Sequence, residues 1–214
     1  MTPASLWRPS PARFARLMFG LTLFGAGEGA LVAAGLGNSP WTVLAQGVSV
    51  QTPLSIGAAT VVISFIVLAV WFPLHQRPGL GTVCNAVWIG VAIEGALWVL
   101  PEDPGTVAAW ALLLGGVGVV ALGSGFYLTA ALGPGPRDGL MTGLHRQTGA
   151  SLRLVRACIE LSVLIAGFLL GGTAGIGTVV FALGVGPGVQ FAIERLSTPE
   201  WRALERRHPA AVTS

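Results

Sequence analysis

The chain has 214 residues, of which 53% are hydrophobic and only 10% charged, with a formal net charge of +3. A soluble protein needs about a quarter of its residues charged to cover its surface, so this composition excludes a water-soluble globule and makes lipid the solvent. The twelve basic residues are all arginine, and their placement reads as membrane orientation, not as nucleic-acid binding.

Apolar runs fall near 17–37, 54–74, 80–100, 107–132, 152–171 and 175–194. At about 1.5 Å rise per residue, roughly 20 residues cross a hydrocarbon core of about 30 Å. Six transmembrane helices are therefore expected in one all-α membrane domain. Arg8, Arg13 and Arg16 precede the first run, which contains Glu28 and is too long for a signal-peptide core, so it reads as a retained helix. The 31 glycines suit helices that associate by close backbone approach in lipid. Cys84 and Cys158 form no metal-ligand pattern and are expected to be buried as small apolar residues.

Residues 17–95 repeat as 113–191 at a fixed offset of 96, with 24 of 79 aligned positions identical. A composition this rich in Gly, Leu, Ala and Val gives only roughly a tenth by chance. The matches include Pro40 with Pro136, Gln51 with Gln147, Thr52 with Thr148 and Ser55 with Ser151. Each copy holds three apolar spans, an odd number, so the second copy is expected to sit inverted in the membrane. Inverted repeats recur in secondary transporters, with the site at the midplane between the halves.

After the first and fourth spans, a Gly/Pro turn precedes Pro40 and Pro136, each suited to a first helical position. Short helices near 40–50 and 136–147 are expected, lying at the interface or re-entering the membrane under protein cover. The first, with Trp41 and Thr42, has no ionisable group. The second carries Arg137, Asp138, His145 and Arg146. Its glycine-rich entry, free backbone N–H groups and Arg137 can hold a phosphate or carboxylate. Equally, Asp138 can offset the helix dipole while Arg137 anchors the interface. The run does not match the phosphate loop G-x-x-x-x-G-K-[ST].

Every arginine falls on one side if both termini are cytoplasmic. In the tail, residues 195–214, Thr198, Pro199 and Glu200 suit the start of an interfacial helix with Trp201 and Leu204 on one face, against the alternative of a solvated tail.

Ionisable residues inside the spans are few. Glu28 lies near the midplane, and its repeat partner is Ser124. Arg156 and Glu160 are four apart on one helical face. Charges at such depth normally face a bundle interior or wet cavity. Glu28, Ser124, Arg156 and Glu160 are thus candidates for a midplane polar site. Arg137, Asp138, His145 and Arg146 are candidates for a cytoplasmic anion or partner site. Arg156 with Glu160 also fits a structural clamp, and Glu94, nearer the surface, fits a structural role. No nucleophile–base set, H-E-x-x-H motif or dinucleotide fingerprint is present. An enzyme is not expected, and nothing calls for a cofactor or metal.

Leu36-Gly37 with Pro40-Trp41, Gln76-Arg77-Pro78-Gly79-Leu80-Gly81-Thr82 and the run Leu132-Gly133-Pro134-Gly135-Pro136-Arg137-Asp138-Gly139-Leu140-Met141 resemble the YczE-type integral membrane proteins of bacteria, within the YczE/YyaS/YitT group. Arg156 with Glu160 and Gly171-Gly172 through Gly175-Ile176-Gly177-Thr178 extend the resemblance over roughly 17–192. It implies a multi-pass protein of the bacterial inner membrane and no particular biochemical activity. Two functions remain open. One is a small-molecule or ion transporter with a midplane site. The other is an accessory or scaffold protein that holds a partner through the 133–153 loop and the tail. Neither the substrate nor the oligomeric state is legible.

Overall fold

In a computed structural model of the chain, residues 6–197 and 201–202 are described. The described residues form helices and connecting turns, with no strand among them. The helices are α1 (Pro11–Ala34), α2 (Pro40–Gln51), α3 (Ile56–Val70), α4 (Leu80–Val99), α5 (Thr106–Thr129), α6 (Pro136–Thr148), α7 (Leu152–Leu169) and α8 (Ile176–Leu196). Their starts follow local chemistry. Ser10 Oγ accepts from Arg13 N, and Pro11 takes the first helical position of α1. Ser55 and Ser151, 96 residues apart, cap α3 and α7 by accepting from the backbone N–H groups of Ala58 and Leu154. The two short helices stand where the proline signals put them.

α1, α4, α5 and α8 are each long and apolar enough to cross a membrane. α2 with α3 makes a further candidate span, bent by 113° at the break. α7 is 18 residues long and carries Arg153, Arg156 and Glu160, so its apolarity is interrupted on one face.

The centre is the crossing of α1 with α5. Gly20 meets Gly123 and Gly27 meets Gly116, so the two helices run antiparallel. An added Cβ at any of these glycines would strike the facing backbone or crowd its side chains, which is why small residues recur there. These two contacts exchange under the offset of 96, since 20 and 27 correspond to 116 and 123. α4 packs on α1, and α8 packs on α5 in the matching way. Leu17, Leu21, Ile89, Ile93 and Tyr127 fill one side of this core, while Leu31, Leu113, Val120 and Phe181 fill the other.

The loops repeat the pattern. Gly81 N donates to Leu132 O at 2.9 Å, and Gly177 N donates to Leu36 O at 2.8 Å. Thr82 Oγ1 accepts from Gly79 N, and Thr178 Oγ1 accepts from Gly175 N. α2 packs on α7 and α6 packs on α3. The first contact closes on Gly167. The second closes on Trp71, at the equivalent position, whose ring lies over Gly139 and whose Nε1 donates to Pro136 O at 2.9 Å.

Three details differ from the sequence reading. α1 begins at Pro11 instead of near 17, because Arg13 and Arg16 belong to its first turns. Arg13 donates to the carbonyls of Ala130 and Ala131, while Arg16 donates to Thr129 Oγ1 and to Leu196 O. These arginines close the carbonyl ends of α5 and α8. Cys158 is exposed and Cys84 half-buried, so the expected burial fails. Cys158 lies on the outer face of α7, where lipid replaces protein as its apolar surroundings. Trp201 is buried, and the expected tail helix otherwise lies outside the described residues.

Candidate functional site

The chain reverses after α1. Gly35, at φ 67°, ends the helix, and residues 36–39 turn back alongside it. Ser39 and the start of α2 therefore lie at the depth of Glu28, six residues inside the end of α1. Ser39 Oγ donates to Glu28 Oε2 at 2.8 Å, and Thr42 Oγ1 donates to the same oxygen at 2.7 Å. Glu28 is 1% exposed, and its Oε1 has no hydrogen-bond partner.

The second half makes the same reversal with different side chains. α6 starts beside α5, and Tyr127 Oη donates to Asp138 Oδ2 at 2.6 Å. Arg137 occupies the position equivalent to Trp41. The two meet, the Arg137 guanidinium carbon lying over the Trp41 ring at 5.0 Å from its centroid. The N-termini of α2 and α6 thus approach each other at the middle of the molecule. Neither has a side-chain cap, so both leave first-turn N–H groups facing the interior. Among the described residues Arg137 donates no hydrogen bond. Its charge acts on Glu28, Asp138, Tyr127 and Glu160.

These groups line a cavity of about 820 Å³. Its wall holds Glu28, Ser124, Arg156 and Glu160, the four midplane candidates, together with Arg137 and Asp138. The structure thereby merges most of two sites that the sequence separated. His145 and Arg146 stay out of it. His145 Nδ1 bonds to Ala150 O at 2.6 Å, and Arg146 is exposed at the far end of α6. Arg156 Nε donates to Glu160 Oε1 at 2.9 Å, so the clamp exists and faces the cavity. Ser124 Oγ donates to Val120 O within α5. Glu94 Oε1 accepts from Gly57 N at 2.6 Å, tying α4 to the start of α3, which is the structural role expected for it.

Sequence reasoning missed Ser39, Thr42, Trp41, Tyr127 and Asn85 as wall or ligand groups. For Trp41 and Thr42 a signal existed, since they align with Arg137 and Asp138. Tyr127, the chain's single tyrosine, carried none, because its partner comes from a reversal that periodicity does not reveal.

The cavity lies where the second half is open and the first closed. In the first half Gly57 and Gly90 bring α3 and α4 backbone to backbone. In the second, Arg153 replaces Gly57, and Gly186 faces open space. α8 also contains Pro187, and Gln190 turns to Glu194 instead of tying α8 to α7. Arg153, Gly186, Pro187 and Gln190 all line the cavity.

Membrane-length apolar helices around an interior that holds several charged side chains define a multi-pass membrane protein. The chain belongs to the family described as "Family of unknown function (DUF6198)", whose model matches residues 11–194. It is 41% identical over 187 residues to a Haemophilus influenzae protein named "Uncharacterized protein", covering 87% of this chain and 86% of that one. It is 31% identical over 203 residues to the "Uncharacterized membrane protein YczE" of Bacillus subtilis, covering 92% and 90%. The YczE resemblance read from the sequence therefore holds. No solved structure matches the chain.

Proposed function

We propose that the protein is a small-molecule or ion transporter of the bacterial inner membrane, with six membrane-crossing helices in two inverted three-helix units and both termini cytoplasmic. The observation that carries this is the cavity. It runs from the arginine-bearing end, at Arg153 and Glu194, to Glu28, where the start of α2 closes it. A pocket that gathers charged side chains at mid-depth, with the start of α2 at its inner end, is what one state of an alternating-access site would hold. The antiparallel α1–α5 crossing and the paired loop bonds at offset 96 support the inversion. The arginine distribution supports the orientation. Beyond Glu28 a polar lock supports closure: Asn38 Nδ2 donates to Gln46 Oε1, which also accepts from Thr173 N. The reading includes no chemical step, and we assign no enzymatic activity. The scaffold alternative retains only His145, Arg146 and the tail, since Arg137 turns inward.

The test is accessibility at Ser124. In a Cys84→Ala, Cys158→Ser background, Ser124→Cys reacts with a membrane-impermeant thiosulfonate added to inside-out vesicles. It reacts at least about tenfold more slowly in right-side-out vesicles. No reaction from either side would remove the aqueous cavity and with it the transport reading.

A further inference from the structure

We infer that the cavity binds an organic monocarboxylate together with one proton, the carboxylate on Arg137 and the proton on Glu28 Oε1. This rests on the transport reading above and names the substrate class of that site.

The hydrogen bonds at Glu28 set the argument. Both of its donors, Ser39 and Thr42, converge on Oε2, and Oε1 is buried with none. An ionised carboxylate offers acceptors on both oxygens, and a buried acceptor left empty is costly. Protonation at Oε1 would leave both hydroxyl bonds in place and remove that cost. Oε2, as carbonyl, takes the two hydroxyl donors. Oε1–H becomes a donor that needs an acceptor from the cavity it lines.

Arg137 asks for the same partner. Its guanidinium lies over the Trp41 ring and donates no hydrogen bond among the described residues. A planar fork of N–H donors matches a carboxylate bidentately. The uncapped first turn of α2 adds positive partial charge nearby, while Asp138 in the first turn of α6 offsets that of α6. The wall also carries apolar side chains, among them Phe24, Ile89, Val120 and Phe181, which suit an apolar body behind the carboxylate.

Charge balance then couples the two ligands. In the empty site the Arg137 cation faces the Glu28 anion. An incoming carboxylate takes over Arg137, and Glu28 takes a proton from water. The summed charge of Arg137, Glu28 and the ligand is the same before and after. Arg153 aside, the other charged groups of the wall have partners of their own. Tyr127 and Asp138 are bonded to each other, Arg156 is bonded to Glu160, Gln190 to Glu194, and the nearest polar group on α4 is the neutral Asn85.

The experiment measures octanoate binding to the full chain in lipid nanodiscs, against empty nanodiscs and against uncharged octanamide. Octanoate is expected to bind and octanamide not. The octanoate dissociation constant should fall by up to about tenfold per pH unit between pH 8 and 6, as one co-bound proton requires. Arg137→Gln should weaken binding at least about tenfold. Glu28→Gln, whose amide can accept from Ser39 and Thr42 and still donate, should bind octanoate with the pH slope gone. Arg137-dependent binding of butyrate as well would support a carboxylate taken from water. Binding of octanoate alone would support one taken from the bilayer through the α7–α8 opening. A flat pH profile in the unaltered chain, equal binding of octanamide, or full affinity in Arg137→Gln would each overturn the inference. If that happened while Ser124→Cys still reacted from one side, the cavity would stand and only the carboxylate would fall.

Discussion

The halves α1–α4 and α5–α8 share a frame and differ in one seam. Between α3 and α4, Gly57 and Gly90 let backbones touch, and Glu94 ties the contact. Between α7 and α8 the corresponding residues are Arg153, Gly186 and Gln190, and the seam is open. The substitutions keep the helices and remove the packing. Thr60 and Ser64, buried inside the closed seam, correspond to Arg156 and Glu160, which are 41% and 31% exposed and paired with each other. Charged side chains at membrane depth need polar surroundings, and the open seam provides them. The second half thus differs from the first by holding a charged wall where the first has glycine contacts, with the reversals and caps alike.

The largest expected effect comes from adding bulk at equivalent seam positions. Gly90→Leu forces a side chain into the backbone of Gly57. It should abolish recovery of monodisperse protein on size-exclusion chromatography. Gly186→Leu meets open space and should leave recovery near normal. Equal losses would mean that the second seam is as closed as the first.

Next comes the contact of the short helices. Trp71→Ala removes the ring that fills the α3–α6 contact over Gly139. It should destabilise by about 3–5 kcal/mol, as aromatic-to-alanine changes in cores do, read as a lower melting temperature. Leu44→Ala, beside the glycine-lined α2–α7 contact, is only half-buried and should cost clearly less.

The smallest effect tests the part that is alike. Thr82→Val and Thr178→Val each remove a hydroxyl that holds an equivalent turn. Each should cost about 1 kcal/mol. Thr82 costs somewhat more, because it also donates to Pro134 O. A large difference would break the equivalence of the two turns.

Most of the frame was legible because it is written in local signals. Ser55 and Ser151, Pro40 and Pro136, and the glycine spacings of α1 and α5 each act within a turn or across one crossing. Glu28 was legible as well, since a lone carboxylate in an apolar run stands out. What Glu28 touches was not. Ser39 and Thr42 reach it only because the chain turns back into the protein after Gly35. Likewise Arg137 read as a cytoplasmic anion or partner group, or as an interface anchor, because it follows a Gly/Pro turn, yet that turn carries it inward to Trp41. The open seam left a trace in the alignment, as Gly57 against Arg153, but only packing shows that a missing glycine there leaves a cavity.

The account's central claim is that one seam is open to water and its counterpart is not. In the background lacking native cysteines, Glu160→Cys and Ser64→Cys place the same thiol at equivalent positions. The account predicts that a membrane-impermeant thiosulfonate applied from the cytoplasmic face modifies Glu160→Cys at least about tenfold faster than Ser64→Cys. Equal rates at the two positions would contradict it.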